Sequence, residues 1–237
     1  MCVVAVGVGI SAQWRLIVAG NRDEYHARPS VPLHRWEDDS GIIAGRDLVS
    51  GGTWMGLSEV GRFAVVTNIR DPDGPDPEKL SRGALVADWL TDAKIVDEPE
   101  RFNPFNLILG GPEGIDYIAN RPAPLRQPLP NGIHMFSNAI HSDPWPRKDR
   151  LRNEFGVWLD HSSTRPEKLL DLLSNETEFD RDAQPIFIKS PVYGTRCSTV
   201  FAVDHGDGGF ALERRFGPDG KATGETRIEF RWPSSVS

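Results

Sequence analysis

Pairs of apolar, β-branched runs, separated by only a few residues, recur at both ends of this chain, and they constrain its fold most. "CVVAVGVG" and "WRLIVAG" flank "ISAQ", and "GTWMGLS" and "RFAVVTN" flank "EVG". Runs this short and this closely spaced read as hairpins. "FNLILGG", "GIDYIAN" and "GIHMFSN" give further strands in the middle, and "CSTVFAVD", "GFALERRF" and "TRIEFRW" close the chain. "DPDGPDPEK" is too rich in Pro, Asp and Gly to be other than a loop, and the proline-rich "RPAPLRQPLP" leads into "GIHMFSN". Three helix signals lie between. Ser81 stands at an N-cap position before "RGALVADWL", where Ala84, Leu85, Trp89 and Leu90 share a face. "RKDRLRNEFGVWLD" carries Leu151, Phe155, Trp158 and Leu159 at helical spacing, and "RPEKLLDLLSN" opens with proline in its first turn.

Strands joined by hairpins favour antiparallel sheets, with helices grouped on the outer faces. The expectation is an α+β layered domain, two stacked sheets between helical layers, spanning residues 1–237 without an internal linker. The G-x-G at residues 7–9, in an apolar run, lacks a third glycine and a following helix, which argues against a dinucleotide-binding fold. The net charge of −7 disfavours nonspecific binding to nucleic acid or anionic membranes. No run is long enough for a membrane span, and no basic segment precedes the apolar start as a secretory signal would require. The two cysteines, Cys2 and Cys197, have no metal-type spacing, and the six histidines form no H-E-x-x-H. These features predict a cytoplasmic protein with reduced thiols, no metal and no cofactor, whose partner is a small molecule.

Several polar positions carry chemistry. If Met1 is trimmed, Cys2 becomes a residue bearing both a thiol and an α-amine, and such an amine can act as general base for its own side chain. The alternative is a small apolar residue in a strand. Asn21, Arg22, Asp23 and Glu24 end the second strand, which a hairpin would set beside Cys2. A carboxylate there could hold the ammonium, and a guanidinium would favour the thiolate. Alternation allows only two of the four to face inward. Asn68 and Asn138 end apolar strands, either as turn residues or as N–H donors of an oxyanion hole. Arg196 precedes a buried-looking strand, where it either pairs with a carboxylate or orients the nucleophile. Trp54 in "GGTWMG" and Trp145 in "DPW" are candidate walls of a substrate pocket.

Taken together, "MC", "NRDEYHARP", "GGTWMGLS", "RFAVVTN", "SRGALV", "FNLILG", "FSNAIHSDPWPR" and "YGTRCSTV" resemble the NRDE family, also called the transport and Golgi organisation protein 2 family. That resemblance implies the N-terminal-nucleophile hydrolase fold, a four-layer αββα sandwich. Among the family's motif relatives are cholylglycine hydrolases, penicillin V acylases and acid ceramidases, which cleave C–N amide bonds with a mature N-terminal cysteine. It implies Cys2 as nucleophile, Asn68 and Asn138 as the two asparagines, and Arg196 as the late arginine. The hydrolases carry arginine and aspartate three residues apart before an aromatic. Here Asn21 and Glu24 stand at that spacing before Tyr25. The resemblance also implies a non-catalytic alternative, a trafficking protein for haem, acyl-chain lipid or acyl-coenzyme A on the same scaffold.

Overall fold

The structure, a computed structural model, describes residues 2–38, 40–162, 164–177 and 185–233. Thirteen strands form two antiparallel sheets among these residues. The six-stranded sheet runs β10 (Gly132–Phe136), β1 (Val3–Val8), β2 (Trp14–Tyr25), β11 (Tyr193–Asp204), β12 (Gly208–Phe216) and β13 (Ala222–Arg231). The seven-stranded sheet follows chain order: β3 (Ser30–Arg35), β4 (Ile42–Asp47), β5 (Met55–Ser58), β6 (Arg62–Asn68), β7 (Phe105–Gly111), β8 (Gly114–Ala119) and β9 (Leu125–Pro128).

Side-chain alternation explains the layering. On β1, Val4 and Val6 join the core between the sheets, whereas Val3 and Ala5 face the other way. On β2, Leu16 and Val18 point inward and Ile17 and Ala19 outward. Both faces are apolar because both are covered, as expected of a sheet packed on each side. The outward face packs against α2 (Pro146–Ser162) and α3 (Leu169–Leu173) through Leu151, Phe155, Trp158, Leu169, Leu170 and Leu173. The outer face of the seven-stranded sheet packs against α1 (Arg82–Asp92), whose Leu85, Val86 and Leu90 meet Ile42, Ala44, Ala64 and Val66. The order is therefore α2/α3, sheet, sheet, α1: the αββα sandwich. No helix of the described residues is long and apolar enough to cross a membrane.

Local details depart from the sequence reading. Strands β3 and β4 come from "SVPLHR" and "IIAGRD", which lack the long β-branched runs of the others. Strand β9 is drawn from the proline-rich stretch, at the sheet edge where a missing N–H is tolerated. Val86, not Ala84, completes the buried face of α1. Ser81 does occupy the N-cap, but its hydroxyl makes no capping hydrogen bond. The proline-led segment begins as a 3-10 turn, Pro166–Lys168, before α3.

Phe155 is fully buried in the outer helical layer, its ring centroid 5.2 Å from that of Trp158 and tilted 54° to it. Phe155→Ala is expected to lower unfolding free energy by about 3–5 kcal/mol. A chemical-denaturation midpoint shifted with an unchanged slope would register that loss.

Candidate functional site

The register of β1 on β2 sets the geometry. Val3 lies opposite Asn21 and Val4 opposite Gly20, so Cys2 comes next to Arg22 at the sheet end. Gly20 allows the close approach, since a Cβ there would stand 2.8 Å from the Val3 carbonyl oxygen. Alternation then divides the quartet. Arg22 and Glu24 face the cleft between the sheet ends. Asn21 and Asp23 turn to the helical layer.

Asp23 is anchored deeply. Its carboxylate takes a 2.6 Å ion pair from Arg147 on α2 and a 2.7 Å hydrogen bond from Thr195 on β11, with both charged side chains at most 2% exposed. Arg147 also donates to the Ile186 carbonyl at 2.6 Å, and Tyr193 donates its hydroxyl to the Asp23 carbonyl at 2.9 Å. The Asp23 backbone N–H is directed at the Cys2 sulfur. Burial pushes the Cys2 thiol up from its ordinary pKa, and the chain's N-terminal ammonium, that N–H and Arg22 only partly oppose it. The sequence reading gave Arg22 the power to favour a resting thiolate; desolvation outweighs it.

Arg22 and Arg28 share two carboxylates. Asp47 on β4 lies 2.6 Å from Arg28 and 3.4 Å from Arg22, and Glu24 lies 3.9 and 3.7 Å from the same two groups. Burial opposes ionisation of Asp47, but the Arg28 hydrogen bond and the Ser50 and Val49 N–H groups hold it below the usual carboxylate value. Behind this web, Cys197 pairs with Arg22 on one side and Arg215 on the other. Burial raises the Cys197 thiol strongly, and it also raises Glu213, whose carboxylate accepts the Leu33 N–H at 2.9 Å.

The two carboxamides stand together. Asn138 is buried and donates from Nδ2 to the Asn68 carbonyl at 2.7 Å, while the Arg70 N–H returns to the Asn138 carbonyl at 2.8 Å. Asn106, fully buried, donates to the carbonyls of Ser137 and Ala139 at 3.1 and 3.0 Å, and so fixes both neighbours of Asn138. Arg196 has no carboxylate partner among the described residues. It donates to the carbonyls of Tyr25, His26 and Arg28 at 2.9–3.1 Å, which pins the turn after β2.

Two glycine motifs meet at the next wall. A Cβ on Gly52 would lie 2.5 Å from the Gly83 carbonyl carbon, and Thr53 N–H donates to that carbonyl at 3.3 Å. Only glycine at 52 lets "GGTW" lie backbone to backbone on the start of α1, which brings Trp54 and Arg82 to one surface.

Cys2, Arg22, Asp23, Glu24, Trp54, Asn68, Asn138 and Arg196 all line a single cleft of about 980 Å³. Asn21 and Trp145 do not. The Asn21 carboxamide is consumed inside the protein, donating to Leu173 and Ile186 carbonyls at 2.8 Å and accepting from Ser198 at 2.6 Å. Trp145 immediately precedes α2, its carbonyl accepting the Lys148 and Asp149 N–H groups. Trp145 therefore forms no wall of this cleft, and Asn21 leaves the polar quartet for the protein interior. Sequence reading missed Asp47, Arg82 and Arg147. Asp47 lies in an unrecognised strand, and Arg147 sits 124 residues from its partner with no pattern to link them.

Two outcomes are expected. Alkylation of Cys2 by iodoacetamide should be slow at neutral pH and rise through a midpoint above the ordinary thiol pKa; a midpoint below it would contradict the desolvated geometry. Arg147→Ala leaves Asp23 buried without that cation and should cost about 3–5 kcal/mol of stability, measured by urea unfolding.

Comparison with known proteins agrees with this architecture. The family profile described as Transport and Golgi organisation 2 matches residues 1–218. The Transport and Golgi organization 2 homolog of Mus musculus is 31% identical, with 81% of this chain and 83% of the mouse protein covered. The Homo sapiens homolog is 32% identical over the same shares, and the Drosophila melanogaster protein 25% identical over 86% and 88%. Among solved structures, the Caenorhabditis elegans N-acylethanolamine-hydrolyzing acid amidase ortholog superposes with a TM-score of 0.54 at 15% identity, covering 84% of this chain and 92% of its own. That likeness is one of fold, the N-terminal-nucleophile hydrolase sandwich. By profile and by relatives, the chain belongs to the Transport and Golgi organisation 2 family.

Proposed function

We propose that the cleft is an acyl-transfer site that cleaves C–N amide bonds with Cys2 as nucleophile. The observation that carries this reading is the meeting of Cys2, the Arg22/Glu24 pair and two asparagines, drawn from widely separated parts of the chain, on one cleft. Removal of Met1 would free the Cys2 amine. That amine takes the thiol proton as sulfur attacks the amide carbonyl, and a C–S bond forms. The negative charge moves to the carbonyl oxygen, where N–H donors from the Asn68 and Asn138 region would hold it. In other enzymes, losing one such donor costs about 10²–10³ in rate. Collapse breaks the C–N bond, and the α-ammonium passes its proton to the departing amine. Water, deprotonated by the same amine, then hydrolyses the thioester and regenerates the thiol.

The other groups have supporting parts. Arg22 lies beside the nucleophile, and its own charge is largely balanced by Asp47 and Glu24. Arg196 holds the β2 turn through three carbonyls. Trp54, Val66 and Ile69 offer apolar wall for an acyl chain.

A carrier for haem, acyl-chain lipid or acyl-coenzyme A is the second reading. It is favoured by the cleft's volume, about 980 Å³, at the upper end for small-molecule sites. The two readings separate by experiment. Purified protein is expected to lack Met1 by intact mass and to turn over at least one member of a fluorogenic N-acyl amide panel, with the acyl group trapped on Cys2 and no turnover by Cys2→Ala. Retention of Met1, or turnover by Cys2→Ala, defeats the amidohydrolase. Saturable haem or acyl-coenzyme A binding that survives Cys2→Ala, without turnover by the wild type, selects the carrier.

A further inference from the structure

The chain carries a net charge of −7, yet eight Lys and Arg residues against six Asp and Glu line the cleft. The pairings sharpen that inversion. Arg22 and Arg28 are matched by Glu24 and Asp47, Asp23 by Arg147, and Glu213 by Arg215 at 3.6 Å. Arg46 is satisfied outside, by Asp38 at 3.3 Å and by the Trp36 ring 4.1 Å from its guanidinium.

Arg82 is different. At the first position of α1 it is held by one hydrogen bond, Nη1 to the Pro104 carbonyl at 3.1 Å, and it makes no ion pair among the described residues. It lines the cleft and lies within electrostatic range of both the Cys2 sulfur and Glu24. Burial lowers its pKa while those two groups act against the fall, so the side chain is a partly desolvated cation. Of the lining acids not matched above, Asp71 accepts the Asp73 N–H and Asp76 the Glu78 N–H within their own loop. Neither forms an ion pair with Arg82. A guanidinium has five donors in a fixed fork suited to carboxylate or phosphate, and here most of them are unspent. Nearby, Tyr25, Val49 and Leu80 line the cleft yet are 57%, 62% and 43% exposed, a surface that favours an apolar body on the ligand.

We propose that Arg82 is a specificity residue that binds an anionic group, carboxylate or phosphate, on an apolar ligand whose reactive end lies at Cys2. This rests on the reading of the cleft as the ligand site and adds the charge class of what it takes. Cys2 and Arg82 then recognise different parts of one molecule. A neutral amide would leave the cation poorly matched and bind less well.

The experiment is equilibrium binding to full-length protein, by calorimetry and by tryptophan fluorescence. Three probes of equal chain length are used below their aggregation limits: N-octanoylglycine, octyl phosphate and neutral N-octanoylethanolamine. At low salt at least one anionic probe should bind about tenfold or more tightly than the neutral one, which reflects a charge-assisted pair. Comparing carboxylate with phosphate identifies which anion is preferred. Arg82→Gln should abolish the preference while the neutral probe binds as before, and Arg82→Lys should restore part of it. Arg227→Gln, on β13 and outside the cleft lining, should leave it in place. Equal affinity of all three for the wild type overturns the Arg82 assignment and leaves the cleft reading standing. So does a preference that persists in Arg82→Gln. Absence of binding by every probe overturns both. Should Arg82→Gln misfold by circular dichroism, the wild-type preference, its salt dependence and the Arg82→Lys variant decide the question.

Discussion

The Arg147–Asp23 ion pair ties the six-stranded sheet to its helical layer directly behind the cleft. Burying two charges costs several kcal/mol each, and attraction recovers this only when the remaining hydrogen-bonding atoms are satisfied too. Here Asp23 is met by Arg147 and Thr195, and Arg147 by the Ile186 carbonyl. A helix, two central strands and the segment before β11 are tied to one carboxylate. The pair fixes the rotation of β2 about its own axis, because Asp23 can reach α2 only when Arg22 and Glu24 point the opposite way. Cys2 is held next to Arg22 by the same sheet. The chemistry on one face of β2 is thus set by a structural commitment on the other.

Electrostatics within the cleft follow from that division. Arg22 and Arg28 crowd around Asp47 and Glu24, and a web with this balance has little net charge to offer a ligand. Its function is rigidity: the Asp47 carboxylate also caps the turn at Val49 and Ser50, so β4 is bound to β2 through charged groups as well as through the core. Guanidinium near the thiol is insufficient to ionise it, since the same packing that orients Arg22 removes water from Cys2. Orientation and desolvation are two consequences of one closure.

The parts legible in sequence were those with local signals. Period-two alternation on β1, β2, β6 and β11 is apolar on both faces, and helical spacing of Leu151, Phe155 and Trp158 marked the outer layer; together these give the layers. Strands β3 and β4 were missed because "SVPLHR" and "IIAGRD" are short, polar at their ends and interrupted by proline or glycine. Their stability comes from pairing with neighbours already in place, which no window of sequence contains. The same holds for the cleft. Cys2, Asn68 and Asn138 stood out as polar groups in apolar surroundings. Asn21 and Asp23, in the same run as Arg22 and Glu24, turned out to serve the fold's interior. Alternation predicted that two of the four would face away but could not say which two, since that depends on register against β1 and on Arg147 far along the chain.

A sandwich shared with an amidase ortholog at 15% identity conveys an arrangement of strands and leaves the reaction open. What the arrangement does supply is a place where the first residues of β1 lie in an open sheet end beside β2, so that whatever occupies position 2 meets whatever occupies position 22. In this chain those residues are a thiol and a guanidinium, with a bulge in β11 between Thr195 and Cys197 facing them. The bulge shifts the pairing by one residue, which lets Thr195 serve Asp23 on one face and Cys197 face the cleft on the other, while Arg196 between them turns to the β2 loop. A regular strand would have put residues 195 and 197 on one face and could not have done both. The irregularity in β11 is therefore as much a part of the cleft as the residues that line it, and it is through strand register that this fold can exchange one chemistry for another while keeping its core.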